Sequence, residues 1–160
     1  MTAALTTVRG WGPHGVVLCA SCRRTGLCRL GVTSEIVDGD AVAYELHCPR
    51  EHEGGPNVAH GGWTAGVLDE LAGHVVVLRG QLAVTGQLSV RFVRPVPVER
   101  PLLGRASLVR REGHRWFIEA QIVLASSGAQ LAAAEAVLVA RDADHFARHE
   151  RWLAEQEGSA

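Results

Sequence analysis

The sequence predicts a single α+β domain in which one central helix lies on an antiparallel sheet. Three observations support this prediction: the length of 160 residues suits one core, a long apolar helix pattern occupies the middle of the chain, and alternating strand patterns flank that helix. Hydrophobic residues make up 47% and charged residues 21% of the chain, as in ordinary folded proteins. We therefore expect one globular domain.

The first strands are predicted to form a hairpin. Segments 32–37 and 41–46 alternate apolar and polar residues and flank the turn Asp38-Gly39-Asp40. They follow an irregular segment, 1–32, that is rich in Cys, Gly and Arg, and they precede a loop over 49–59.

A long central helix is predicted over 62–79. Its apolar residues cover most of the circumference, so we expect it to be buried on nearly all sides. Gly66 and Gly73 each cost about 1 kcal/mol relative to alanine in a helix, and close packing against the sheet or a partner helix would explain them.

Four antiparallel strands and a terminal helix are predicted after the central helix. The first strand alternates Leu88, Val90 and Phe92 with polar residues, and a meander follows over 103–110, 115–124 and 130–140. The amphipathic helix 142–156 is expected to dock its apolar side on the sheet or on a neighbouring subunit. These elements divide the chain into the segment 1–32, a domain over 33–142, and a helix and tail over 143–160.

Composition excludes several classes of protein. All 16 basic residues are arginine, and with 17 acidic residues they give a formal net charge of -1, so no nucleic-acid partner is predicted. Without lysine, lysine Schiff-base chemistry and a Walker-type phosphate loop are excluded. The longest central aliphatic run, 75–78, is far below the roughly 20 residues of a membrane span. Residues 1–12 lack a secretory pattern, so we expect reduced thiols and a cytoplasmic protein.

The most informative stretch lies where the central helix begins, Gly55-Pro56-Asn57-Val58-Ala59-His60-Gly61-Gly62-Trp63. The first backbone N–H groups of a helix have no partner within it, and glycine lets a ligand carbonyl approach them closely. Such donors, helped by the helix dipole, suit a developing oxyanion and lower a barrier by roughly 3–4 kcal/mol each. The same glycines also fit a tight loop-to-helix turn that has no catalytic role.

Asp69 lies inside the same apolar helix, where an unpaired carboxylate is costly. A buried acid of this kind suits a general base that works near neutral pH. Glu70, on the neighbouring face, is the alternative buried acid, with Asp69 then paired to an arginine.

The spacing of these groups predicts a site shared between two chains. Gly61 and Asp69 are separated by about 12 Å along the helix axis, and Gly62 and Asp69 by roughly 10 Å. A base must come within about 3 Å of the water that it activates, so one helix cannot offer both groups to one substrate. Two antiparallel copies of the helix about a two-fold axis would place Asp69 of one protomer opposite Gly61 of its partner.

These residues carry a family resemblance. The chain resembles the hot-dog-fold acyl-CoA thioesterases, especially the phenylacetate-degradation type. The resemblance rests on the motif Asn57-x-x-His60-Gly61-Gly62, on Asp69 nine residues after the histidine, on Thr85 and on the strand 88–97. The resemblance covers residues 33–141. It implies a long central helix wrapped by an antiparallel sheet of about five to six strands, paired into homodimers and often homotetramers.

The resemblance also implies thioester hydrolysis of an acyl-CoA substrate without a cofactor. It places the oxyanion donor at Gly61, with help from Gly62, the catalytic carboxylate at Asp69 of the partner subunit, and a supporting hydroxyl at Thr85. His60 then shapes the loop. Whether Asp69 acts as base or nucleophile stays open.

Three further positions carry open alternatives. Many members have Asn or Gln seven residues before the oxyanion glycine, where this chain has Gly54; Asn57 either supplies that amide or is a turn residue. Arg91 and Arg94 are candidate contacts for CoA phosphates, or exposed arginines without such a role.

No metal site is predicted. The motif Cys19-x2-Cys22-x5-Cys28 resembles half of a zinc site, and His14, His47 or Cys48 could serve as a fourth ligand. A structural zinc site needs a second pair of closely spaced Cys or His ligands, which the sequence lacks, so free thiols are expected. His145 and His149 have metal-ligand spacing on the terminal helix, where a solvated face is the simpler interpretation.

Two other functions remain open beside thioester hydrolysis. One is a hot-dog hydratase or dehydratase acting on acyl thioesters, which would pair an aspartate with a histidine from another motif. The other is a non-catalytic scaffold that binds acyl-CoA or another small ligand. A carboxylate at Asp69 argues against the scaffold, because binding alone has little use for a buried acid.

Overall fold

The computed structural model describes residues 15–158, which form one six-stranded antiparallel sheet and two α-helices. The elements are β1 Val32–Asp38, β2 Ala41–Leu46, α1 Gly61–Val77, β3 Ala83–Phe92, β4 Leu102–Glu112, β5 Arg115–Leu124, β6 Gln130–Ala140 and α2 His145–Gly158, with short 3-10 helices at Cys22–Arg24 and Arg50–His52. The predicted α+β class is confirmed, as are the hairpin β1–β2, the central helix and the meander β4–β5–β6.

Strand β3 does not pair with the strand that follows it. The spatial order is β1-β2-β4-β5-β6-β3, so β3 lies at one edge beside β6, and β4 pairs with β2. The sequence alternation of β3 fixes which residues share a face but contains no information about its partner. The prediction of four consecutive strands after the central helix, each paired with the next, is therefore wrong for β3, which pairs with β6.

Helix α1 packs one side against the sheet. Its buried residues include Val67, Leu68, Leu71 and Val75. They pack in one core with the apolar face of the sheet that strands β2 through β6 form. At Gly104 a Cβ atom would lie 2.7 Å from Leu71 Cδ1, so the glycine of β4 allows close approach of helix and sheet. The Tyr44 hydroxyl donates to the Leu71 carbonyl oxygen at 2.7 Å, which fixes the helix from the β2 side.

The opposite side of α1 is open, which corrects the expectation of burial on nearly all sides. Gly66, Asp69, Gly73 and Val77 follow at helical spacing along this face, and none of them is fully buried. A Cβ atom added at Gly66 or Gly73 would meet nothing within 4 Å. Packing against the chain's own sheet therefore does not explain these two glycines.

Helix α2 does not dock on the sheet. No α2 residue is buried, and Phe146 and Trp152 are 56% and 54% exposed. Within residues 15–158, no helix is both long and apolar enough to cross a bilayer. The expectations about residues 1–12 and about His14 concern positions outside the described residues.

Candidate active site

Helix α1 begins with an unused backbone donor. His60 is the N-cap residue, and its carbonyl oxygen accepts from the N–H groups of Trp63 and Thr64. Within residues 15–158, no protein acceptor takes the Gly61 N–H. Gly61 is exposed at the positive end of the helix dipole, so it can donate to a carbonyl oxygen that arrives from outside.

Gly62 does not offer a second free donor, contrary to its predicted role. The Gly62 N–H donates to the His60 Nδ1 atom at 2.9 Å. This bond puts the proton of a neutral imidazole on Nε2, and it fixes the ring at the start of the helix. His60 therefore shapes the N-terminus of α1, and the donor available to a ligand is Gly61.

Asp69 and Thr85 form the second part of the site. The Thr85 hydroxyl donates to Asp69 Oδ1 at 2.6 Å, across 16 residues of sequence. A β-bulge at Gly86 aims Thr85 at the helix, because the register with β6 shifts between Thr85 and Gln87. Asp69 is half-buried in the single chain, and its partner is this hydroxyl, not an arginine.

Glu70 belongs to a cluster that sequence reasoning missed, in which the side chains of His74 and Glu35 are buried and that of Glu70 is 29% exposed. His74 Nε2 lies 2.8 Å from Glu70 Oε1, and His74 Nδ1 lies 2.5 Å from Glu35 Oε2 on β1. Although burial alone would lower the pKa of His74, the hydrogen bonds and charges of the two glutamates raise it to about 10. Burial opposes ionisation of Glu70, but the contact with His74 prevails and lowers the pKa of Glu70. We call Glu35, His74 and Glu70 the Glu–His–Glu triad.

The spacing of Glu70 and His74 is the signal that would have found two of the three residues of this cluster. Residues four apart on a helix face each other, so the pair is readable from the sequence. Glu35 has no such signal, since it lies 39 residues away on a strand.

Asn57 has the contacts of a turn residue. Its φ is 59°, in the left-handed region that Asn tolerates, and its side-chain oxygen accepts from Arg50 Nη1 at 3.1 Å. Gly54, where many members carry an amide residue, lies against the next part of the loop: a Cβ atom there would be 2.9 Å from His60 Cα. The loop therefore has no room for a side chain at this position.

The aromatic ring of Phe92 lies beside Gly61, whose N–H is the free donor. A Cβ atom on Gly61 would be 3.6 Å from Phe92 Cε1, and the Phe92 ring is 59% exposed. From the sequence, Phe92 is predicted only to be one of the alternating apolar residues of β3. Its position next to Gly61 makes it a candidate contact for an apolar part of a ligand.

The two arginines proposed for CoA phosphates have different surroundings in the single chain. Arg91 alternates with Val90 and Phe92, and it lines a cleft with Ser89 and Arg105 on the sheet face opposite α1. Arg94 Nη1 donates to the Gln130 carbonyl oxygen at 2.8 Å.

The cysteine cluster contains free thiols. Cys19 is exposed, Cys28 is half-buried, and Cys22 and Cys48 are buried. Among the described residues, no group of three or more His, Cys, Asp or Glu side chains is arranged to hold a metal ion. His149 is stacked on Trp152, with ring centroids 5.9 Å apart.

Comparison with known families identifies proteins that are similar to this chain. Residues 56–129 match the model of the thioesterase superfamily, and this stretch contains the loop, α1 and β3 to β5. Protein RHA08564, a thioesterase superfamily protein of known structure, is 27% identical over 66% of this chain, with a TM-score of 0.59. The match covers 56% of RHA08564, so this chain corresponds to little more than half of that protein's length.

More distant solved structures share the fold. A hypothetical thioesterase protein of Streptococcus pneumoniae TIGR4, solved with coenzyme A, is 19% identical, with 64% of this chain and 79% of that chain covered and a TM-score of 0.60. Protein smu.793 of Streptococcus mutans UA159, bound to acetyl CoA, is 18% identical, with 67% and 86% covered and a TM-score of 0.61. Two further structures of the S. pneumoniae protein carry alanine in place of an aspartate and of a threonine sixteen positions apart. Residues 56–129 of this chain are thus similar to the thioesterase superfamily, and its fold is the hot-dog fold.

Proposed function

We propose that this protein is an acyl-CoA thioesterase whose active site is shared between two subunits. The observation that carries the proposal is the separation of two functional groups on one helix. A free Gly61 N–H lies at the start of α1, and the Asp69–Thr85 pair lies two turns further along. Since the two groups are about 12 Å apart along the axis, each needs its complement from a second chain.

In this proposal the partner chain is a second copy that pairs through β3 and α1. β3 is an edge strand, bonded on one side only to β6, and an open edge is a template for pairing with another strand. Pairing of two β3 strands would bring the open faces of two α1 helices together, where Gly66 and Gly73 allow close contact. The homodimer is the minimal active unit, homotetramers are dimers of this unit, and the expected compartment is the cytoplasm.

The proposed chemistry uses one donor, one carboxylate and one hydroxyl. Gly61 N–H donates to the thioester carbonyl oxygen and stabilises the oxyanion that forms when the carbon is attacked. Asp69 of the other subunit takes a proton from the attacking water, or attacks the carbon itself and forms an anhydride that water then cleaves. The CoA thiolate leaves and takes up the proton. Thr85 holds the Asp69 carboxylate by donating to Oδ1.

Two features of the related structures support the substrate class. Coenzyme A and acetyl CoA occupy two proteins of the same fold. The aspartate and threonine that were replaced in the S. pneumoniae protein have the spacing of Asp69 and Thr85 in this chain. Phe92 beside Gly61 would contact an apolar acyl group or the pantetheine arm.

Release of free thiol from a panel of aromatic, short-chain and medium-chain acyl-CoAs tests the proposal. We expect wild-type protein to release CoA, Asp69→Asn to lose about 10²–10⁴-fold in kcat, and Glu70→Gln to stay within about tenfold of wild type. The glutamine is a matched control, because its side-chain oxygen still accepts from His74.

Three results would contradict the proposal. Hydration of an enoyl-CoA double bond without thiol release would favour a hydratase, and binding of acyl-CoA with neither reaction would favour a scaffold. A Glu70→Gln protein that is inactive while Asp69→Asn is active would move the catalytic carboxylate to Glu70.

A further inference from the structure

The N-terminal segment contains a pair of cysteines in one helical turn. Arg23 N–H donates to the Cys19 carbonyl oxygen at 3.1 Å, and a 3-10 helix begins at Cys22. This turn brings Cys19 and Cys22 together, and each thiol shifts the pKa of the other. Cα atoms three residues apart in such a turn are separated by about 5 Å, within the range of roughly 4.4–6.8 Å that a disulfide spans.

The two thiols differ in exposure and in pKa, and these differences indicate which of them attacks a disulfide first. Cys19 is exposed, and the Cys22 backbone N–H and side chain stabilise its thiolate and lower the pKa of Cys19. Cys22 is buried, and burial raises the pKa of this thiol. An accessible thiol with a lowered pKa attacks first, and a shielded neighbour within reach completes the exchange.

We propose that Cys19 and Cys22 form a dithiol site that reacts with small-molecule disulfides and closes into an internal Cys19–Cys22 disulfide. In the first step the Cys19 thiolate attacks one sulfur of the reagent, a mixed disulfide forms, and one thiolate leaves. In the second step the Cys22 sulfur attacks Cys19 Sγ, its proton passes to solvent, and the second thiolate leaves. One disulfide is reduced to two thiols while the protein dithiol is oxidised, so the exchange balances.

The other two cysteines provide internal controls. Cys48 is buried, its thiol donates to the Pro49 carbonyl oxygen, and burial raises the pKa of Cys48 to about 11. Cys28 is half-buried nearby, but it lies outside the turn that holds Cys19 and Cys22. Neither has both the exposure and the thiol partner of Cys19.

Because trypsin cleaves after arginine, mass spectrometry of the tryptic peptides shows which cysteines have formed a disulfide. Trypsin leaves Cys19 and Cys22 together on the peptide 10–23, and it puts Cys28 on 25–29 and Cys48 on 30–50. Reduced full-length protein is incubated with oxidised glutathione, blocked at acid pH, digested and mapped. We expect the peptide 10–23 to lose the mass of two hydrogen atoms, with no cross-link between peptides.

Variants separate the two steps. In Cys22→Ser we expect a glutathione adduct that persists on Cys19, in Cys19→Ser no rapid reaction on peptide 10–23, and in Cys28→Ser the wild-type result. A second readout uses the unmodified protein, so it does not depend on the folding of a variant: brief treatment with iodoacetamide at neutral pH should label Cys19 before Cys28. The proposal is overturned if peptide 10–23 stays a dithiol in excess oxidised glutathione, if Cys28 reacts first, or if the disulfide joins two peptides.

Discussion

Two adjacent glycines at the start of α1 have different roles, and the His60 ring makes the difference. It accepts the Gly62 N–H, which leaves Gly61 as the donor that faces outward. Sequence reasoning named both glycines as donors, because a helix start leaves several N–H groups without internal partners. The identity of the N-cap side chain decides which of them stays free.

Replacement of Gly61 by proline tests the donor directly. Gly61 is the first helical residue, where proline is well tolerated, and the extended ψ of 138° at His60 suits the residue before proline. Gly61→Pro should therefore keep the fold but lower kcat by about 10²–10³-fold, since it removes only the N–H. Gly61→Ala, which keeps the N–H, is the matched control; equal kcat values for the two variants would remove Gly61 from the mechanism.

The Thr85 hydroxyl is expected to act through Asp69. A hydrogen bond to a charged group contributes about 1.5–3 kcal/mol. Thr85→Val, of similar shape, should lower kcat by roughly tenfold or more with little change in KM, and Thr85→Ser should restore most of it. Steady-state kinetics on one acyl-CoA checks both, and a Thr85→Val enzyme with wild-type kcat would contradict the role.

Among the secondary-structure elements, the Glu–His–Glu triad joins α1 to β1. The Glu35 side chain is only 1% exposed, and its second oxygen accepts from the Val17 N–H, so the N-terminal segment, β1 and α1 meet at one carboxylate. Removal of the histidine would leave two carboxylates without their cation. In a buried cluster, such a loss typically costs about 3–5 kcal/mol of unfolding free energy.

The triad predicts how stability depends on pH. The pKa of His74 is about 10 in the folded chain against its ordinary 6.5, so its contribution is fully present below pH 6.5 and is lost as the pH rises toward 10. Urea unfolding should show a wild-type free energy that falls across this window and a His74→Gln variant that is less stable at pH 6.5 and changes less with pH. Parallel curves for the two proteins would contradict this assignment.

The local elements could be predicted from the sequence, but their long-range partners could not. β5 and β6 have the bounds that alternation and turn residues predict, and α1 begins one residue earlier than expected. The position of β3 beside β6 and the contact of Glu35 with His74 depend on pairings between distant residues. Local patterns do not encode such pairings.

At the scale of the whole molecule, the open face of α1 is the feature that the single chain leaves unexplained. Gly66 and Gly73 weaken a solvent-exposed helix, so a partner helix in close contact is the physical reason to keep them.

Gly73→Leu separates packing within the chain from packing between chains. A Cβ atom at this position meets nothing within 4 Å in the monomer, so we expect a folded protein with the circular dichroism spectrum of the wild type. Because it would block close approach of a second α1, we also expect a shift to monomer in sedimentation velocity and loss of hydrolysis. A dimeric and fully active Gly73→Leu protein would place the interface elsewhere.

Complementation between two inactive variants tests the shared site most directly. Gly61→Pro and Asp69→Asn are co-expressed with different tags or mixed under subunit exchange. A heterodimer then unites the intact Gly61 of one chain with the intact Asp69 of the other in one of its two sites. We expect recovery of about a quarter of wild-type activity at random equimolar pairing. Heterodimers that form but stay as inactive as either parent would show that each site belongs to a single chain.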